Sequence, residues 1–154
     1  NFTGDIILII YLFALARFFL VLTSLDTGSA FGGMGGSREM MVSSMAEPAM
    51  ILSFFTVALT VNSTNLSNIT STLLNNSILL LNPSLILAFA ALTIVLIAET
   101  GRIPVDNPFT HLELTMIHEG MMLEFSGRYL ALVEWASSMK LLLLLTILVN
   151  IFFP

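Results

Sequence analysis

No cysteine occurs in the 154 residues. Disulfides, thiolate metal sites, iron–sulfur ligation and nickel–iron ligation are therefore excluded within this chain. Any redox centre belongs to a partner. Charge is nearly as scarce: Asp, Glu, Lys and Arg make up 10% of the residues, against roughly 25% in a soluble domain. Only five residues are basic and the formal net charge is −5, which removes the positive footprint that nucleic acid requires. No Walker loop, dinucleotide fingerprint or nucleophile constellation is found, and Gly32-Gly33-Met34-Gly35-Gly36 lacks the Lys-Ser/Thr ending of a phosphate loop. No basic stretch followed by a short apolar run and a cleavage site opens the chain. Its first residue is Asn1, and a full-length apolar segment follows. The expectation is the middle part of a larger helical subunit.

What abounds is hydrocarbon. Hydrophobic residues make up 56% and the mean hydropathy is +0.97. A soluble chain this apolar could not clothe its surface in polar groups, so lipid is the solvent for much of it. Four stretches, about 5–25, 37–61, 83–99 and 128–153, are apolar and near the roughly 20 residues that a helix needs to cross a bilayer. They lack the alternation of barrel strands and read as helices. The fold class expected is an all-α membrane protein with about four transmembrane helices, forming one transmembrane domain over residues 1–154.

The connections differ in chemistry. Residues 26–36 read as a glycine-rich loop. Residues 62–82 carry no charge and are rich in Asn, Ser and Thr; their Asn-x-Ser/Thr triplets crowd one another and read as a polar loop with a short interfacial helix toward Leu81. Residues 100–127 are the longest and most polar connection. Arg38, Arg102 and Arg128 lie near span ends beside the first and third connections, whereas the second has no Lys or Arg. The positive-inside rule then makes loops 26–38 and 100–128 cytoplasmic. Within the third connection, Thr110 and Glu113 form a capping box, Pro108 precedes it and Gly127 follows the last apolar position. These signals predict a short amphipathic helix from His111 to Phe125 on that face.

Charges inside spans are the informative residues, because each costs about 3 kcal/mol or more at mid-bilayer. Arg17, Glu47, Glu134 and Lys140 fall within the spans, and Glu99 closes the third. At 1.5 Å per residue, Arg17 lies about 13 Å from Asp26 and Glu47 about 15 Å past Ser37, so antiparallel neighbours can bring them together. Two readings stand open: an ion pair that only locks two helices, or a protonatable Glu47 tuned by burial and an arginine. Pro48 removes a backbone hydrogen bond near Ser43 or Ser44, which either admits water beside the carboxylate or merely kinks the helix. Lys140 lies about 18 Å in from Arg128 and needs a carboxylate or a water-filled cavity. Glu134, six residues away, points to another face. The amphipathic segment adds His111, Glu113, His118, Glu119 and Glu124. His118 titrates near neutral pH and suits proton exchange; a capping role for Glu113 and a solvated face for the others are the alternatives. Met122 stands where a zinc protease motif needs a second histidine, and no metal site is expected.

The run Glu99-Thr100-Gly101-Arg102-Ile103-Pro104-Val105-Asp106, followed by THLELTMIHEGMMLEFSGR from Thr110 to Arg128, resembles the membrane subunit of energy-converting, group 4 nickel–iron hydrogenases of the formate hydrogenlyase and archaeal membrane-bound types. That subunit is a relative of subunit one of respiratory complex I, which carries a similar ET-x-R-x-P-x-D run and a V-E-Y-S-G-like stretch where this chain has Leu123 to Gly127. The segment Asp26 to Met40 is similar to the hydrogenase branch, and Glu47 falls where complex I has the acid of its S-Y-E motif. The resemblance covers nearly the whole chain and is specific over about forty residues. It implies a heel subunit in a prokaryotic cytoplasmic membrane, joining peripheral nickel–iron and iron–sulfur subunits to other membrane subunits, including antiporter-like ones. It implies no cofactor in this chain, a proton or ion pathway through Glu47, Glu99, Asp106, Glu113, Glu119, Glu124 and His118, and charge balance from Arg17, Arg38, Arg102 and Lys140. A quinone-reducing complex I subunit and a purely structural membrane anchor are the rival readings.

Overall fold

The computed structural model describes residues 4–102, 105–106, 117–122 and 125–153; the side chains of Ser77, His118 and Glu119 lie outside that description. Six α-helices follow in order: α1 Ile6–Asp26, α2 Ala30–Val61, α3 Leu66–Asn75, α4 Pro83–Glu99, α5 His118–Met122 and α6 Arg128–Phe152, with a 3-10 turn at Ser77–Leu81 before α4. Three of them, α1, α2 and α6, are long and apolar enough to cross a membrane. The fourth expected span, α4, is apolar but has 17 residues, about 26 Å of helix. The described residues thus form a multi-pass, all-helical membrane protein.

The glycine-rich segment departs from expectation. Residues 26–36 read as a loop, yet α2 begins at Ala30 and runs 32 residues, through Pro48 without a break. The turn is short because Gly28 takes φ +64° and Ser29 caps the new helix, its hydroxyl accepting from Gly32 N–H at 3.0 Å. The glycines then serve as a smooth helix surface. A Cβ on Gly32 would sit 2.6 Å from the Ser24 carbonyl oxygen, and one on Gly35 2.9 Å from the Ile117 carbonyl oxygen. Lacking side chains, this part of α2 lets the end of α1 and the start of α5 pack directly against its backbone.

The other boundaries follow local chemistry. Asn62 ends α2 in the left-handed region, and Asn65 caps α3 by accepting from Ser67 N–H at 3.1 Å. The second connection therefore holds a regular helix upstream of the short one expected toward Leu81. Its Ile69 and Leu73, four residues apart on one face, are fully buried. Pro83 opens α4 at a position where no N–H is needed. At the far end of α4, Gly101 at φ +57° reverses the chain: its N–H donates to Ala98 O and that of Arg102 to Ile97 O, the paired bonds of a Schellman turn.

The apolar core lies toward the end of the bundle that holds residues 62–82. Met50, Phe54 and Val57 of α2 meet Leu85 and Leu92 of α4, Ile147 and Ile151 of α6, and the buried face of α3. Phe89 stacks edge-to-face on Phe152 at 5.0 Å. The outer faces of α1 and α6 remain apolar and exposed, with Leu12, Phe19, Leu132 and Leu142 among them, as lipid-facing surface should be. Of the amphipathic helix expected over His111–Phe125, the turn His118–Met122 is helical. Residues 111–116 and 123–124, with His111, Glu113 and Glu124 among them, lie outside the described residues, as do the side chains of His118 and Glu119.

The glycine surface makes a paired prediction. Gly33 has open space where a Cβ would go, so Gly33→Ala should leave stability unchanged or raise it by up to about 1 kcal/mol through helix propensity. Gly35→Ala meets backbone on two sides, at 2.9 and 3.0 Å, and should cost about 1–3 kcal/mol as an overpacked site. Thermal unfolding in detergent compares the two; matching melting temperatures would contradict the packing described.

Candidate functional site

Arg17, halfway along α1, is the hub of a buried ionic cluster. Its side chain is 4% exposed. One terminal nitrogen donates to Glu47 of α2 at 2.9 Å, and the other to Glu99 at the end of α4. Its Nε lies 3.7 Å from Glu39 Oε1, also on α2. A guanidinium suits this task because it presents a rigid planar fork of donors, remains charged in any protein setting and can face several carboxylates at once. Glu39, Ser43 and Glu47 are spaced four residues apart and wind along the side of α2 that meets α1.

Lys140 of α6 completes the cluster from the opposite side. Its Nζ stands 2.6 Å from Glu99 Oε2 and donates to the Glu99 main-chain oxygen at 3.0 Å. It therefore pairs with the acid and caps the carbonyl end of α4, where a positive charge also complements the helix dipole. The glycine turn after Glu99 ends α4 level with Arg17 and Lys140, whereas α1 runs on past Arg17 to Asp26. Glu99 is 1% exposed between two cations. Such burial is tolerable only because both carboxylate oxygens face positive charge.

A cavity of about 410 Å³ opens between α1 and α6 onto this cluster. Phe13, Leu20, Trp135 and Leu143 form apolar walls, and Arg17, Glu39, Glu99 and Lys140 form the polar floor. A larger open depression of about 600 Å³ lies at the other end of the bundle, lined by Gly4, Asn65 to Asn68, Thr70 and Asn150, without an ionisable side chain. The ionisable side chains line the first.

The remaining expected site residues lie apart or outside the description. Asp106 is buried and its carboxylate accepts from Ile117 N–H at 3.3 Å, tying the turn after α4 to the start of α5. Arg102 is exposed beyond that turn and Arg38 is half-buried on α2. Glu134 is exposed on α6, and its main-chain oxygen accepts from Ser137 and Ser138. Glu113 and Glu124, and the side chains of His118 and Glu119, lie outside the described residues. Glu39 was not anticipated. Its signal was the four-residue spacing to Ser43 and Glu47; with the second span counted from Ser37, Glu39 stood two residues from its start, where a charge is unremarkable.

A buried arginine–glutamate–lysine network within apolar helices is compatible with several membrane proteins; sequence comparison narrows the choice. The family model described as NADH dehydrogenase matches residues 1–154. The chain belongs to that family. Among curated relatives, it is 39% identical to formate hydrogenlyase subunit 4 of Escherichia coli (strain K12) over 155 aligned positions, covering 98% of this chain and 48% of that protein. It is 40% identical to hydrogenase-4 component C of the same organism over 153 positions, covering 98% and 46%. The chain thus spans about half the length of these relatives, and in this family member the ionic cluster falls wholly within that half.

Because Arg17 faces three acids, its removal should be far more costly than loss of an outlying charge. Arg17→Met leaves buried carboxylates without their cation and should destabilise by about 3–5 kcal/mol. Arg17→Lys should recover only part of this, since an ammonium is a point charge without the guanidinium fork. Glu134→Gln, on an exposed face, should stay within about 0.5 kcal/mol. Thermal unfolding in detergent reads all three; an Arg17→Met protein as stable as Glu134→Gln would rule out the hub.

Proposed function

We propose that this chain forms part of a membrane-arm heel subunit of a multi-subunit, hydrogenase-like complex, in which it couples ferredoxin-linked electron transfer and hydrogen evolution to translocation of protons or sodium ions. Peripheral nickel–iron and iron–sulfur subunits carry the electrons, and other membrane subunits, antiporter-like ones among them, share the ion path. The reading draws on relatives named for formate hydrogenlyase and hydrogenase-4. The single observation that carries it is the cluster at span depth: Glu39, Glu47 and Glu99 against Arg17 and Lys140.

Counted formally, these described residues hold three negative charges and two positive ones. The cluster therefore reaches neutrality by taking up one proton or one monovalent cation. In a low-dielectric setting that imbalance is expensive, and the energies are sensitive to any charge that appears nearby. A change of charge in the docked redox arm then alters the affinity of the cluster for its ion, which is coupling in the thermodynamic sense. A cluster that served anchorage alone would be better matched in charge, or replaced by hydrocarbon at little loss. Asp106, Glu113, Glu119, Glu124 and His118 extend the pathway toward the cytoplasmic face in this reading, and Arg38 and Arg102 balance charge along it.

The test uses the intact complex in proteoliposomes, with hydrogen formation and ion uptake measured together. Glu47→Gln and Glu99→Gln should each lower the number of ions moved per hydrogen formed by at least about tenfold, as loss of a proton-transfer group does elsewhere. Replacing sodium by potassium in the buffer identifies the ion. An unchanged ratio in both variants would sink the coupling role and leave an anchor.

A further inference from the structure

Resting on the coupling role proposed above, we infer that Glu39 is the group through which the buried cluster exchanges protons with water in the cavity between α1 and α6. Three observations converge on it. The cavity of about 410 Å³ touches Arg17, Glu39, Glu99 and Lys140 but is not lined by Glu47. Of the two carboxylates on its floor, Glu99 is 1% exposed and held by two cations, whereas Glu39 is 15% exposed and only 3.7 Å from one. Finally, Arg17 Nε on the cavity wall is buried without a hydrogen-bond partner. A buried donor of that kind is normally satisfied by an acceptor or an ordered water. A water placed between Arg17 Nε and the Glu39 carboxylate satisfies it and links the acid to the cavity.

The division of labour follows from charge. Among the described side chains, the ionisable groups around Glu39 are Arg17 on α1, Lys140 on α6, Glu99 on α4 and Glu47 on its own helix. Protonation forms one O–H bond on Glu39 at the expense of one on a hydronium ion in the cavity, and leaves Arg17 and Lys140 balanced by Glu47 and Glu99. Release reverses the step. Glu47, 35% exposed and away from the cavity, gives the cluster a second outlet on another side of α2. Arg17 keeps its charge and all its protons throughout, so passage between the two outlets goes through water alongside the guanidinium and not through it.

The experiment again uses the whole complex in proteoliposomes. Glu39→Gln should lower protons moved per hydrogen formed at least tenfold, and Glu39→Asp, which keeps the acid, should restore a measurable part. Ala136→Phe, which places a ring in the cavity without touching the cluster's charges, should mimic Glu39→Gln even if the latter fails to assemble. Ser137→Cys on the cavity wall should react with a water-soluble maleimide, read by mass spectrometry of its peptide; this chain has no other cysteine. Full coupling in Glu39→Gln or Ala136→Phe, or an unreactive Cys at 137, overturns the inference. If Glu47→Gln uncouples while Glu39→Gln does not, the coupling role survives and only this entry route is lost. If neither uncouples, the coupling role fails first.

Discussion

The guanidinium of Arg17 organises this part of the membrane. Its neighbours come from α2 and α4, and through Glu99 it reaches Lys140 on α6. All four long or apolar helices therefore meet at one polar point. Hydrophobic matching gives little reason for helices to associate inside a bilayer, because lipid tails are as apolar as leucine. The polar contact supplies the specificity. The packed apolar core lies toward the end with α3, whereas the described residues at the opposite end include turns, the glycines of α2 and the short α5.

The two halves use different means to pack closely. At the α3 end, large side chains such as Met50, Phe54 and Leu92 interdigitate. At the other end, Gly32 and Gly35 remove side chains so that main chain meets main chain, and Gly36 makes room for the Ser24 hydroxyl. The second arrangement brings the polar backbone near Ser24 and Ile117 into contact with a helix, where it is shielded from lipid. Irregular backbone at membrane depth is tolerated only under such cover.

Much of this was legible beforehand, for reasons that can be named. Long apolar runs fixed the spans because lipid imposes a length, and the rarity of charge made Arg17, Glu47, Glu99 and Lys140 conspicuous. Pairing of Arg17 with Glu47 followed from their similar depth in adjacent antiparallel helices. The start of α2 was hidden because glycine signals a loop in water, whereas between packed membrane helices it permits close approach. That error set Glu39 two residues from the start of its span, where it read as an ordinary interface charge; with α2 starting at Ala30 it lies well inside the helix. The level of Glu99 was hidden as well: sequence places it at a helix end, but only the three-dimensional structure shows that α4 stops beside the middle of α1. The polar stretch 62–82 concealed α3 because its apolar face consists of little more than Ile69 and Leu73.

The early stop of α4 has an electrical consequence. Beneath Glu99, alongside the part of α1 past Arg17 that covers about 13 Å as helix, the described residues after α4 form turns and a one-turn helix. Polar backbone of this kind is more polarisable than packed hydrocarbon, so the insulating barrier is thinner here than across the rest of the bilayer. The transmembrane voltage, worth about 2.3 kcal/mol per charge for each 100 mV, then falls mostly over the remaining apolar half. In the coupling role proposed for the cluster, an ion bound there would have completed the inexpensive portion of its passage, with nearly the whole electrical work concentrated in the final stretch beyond it.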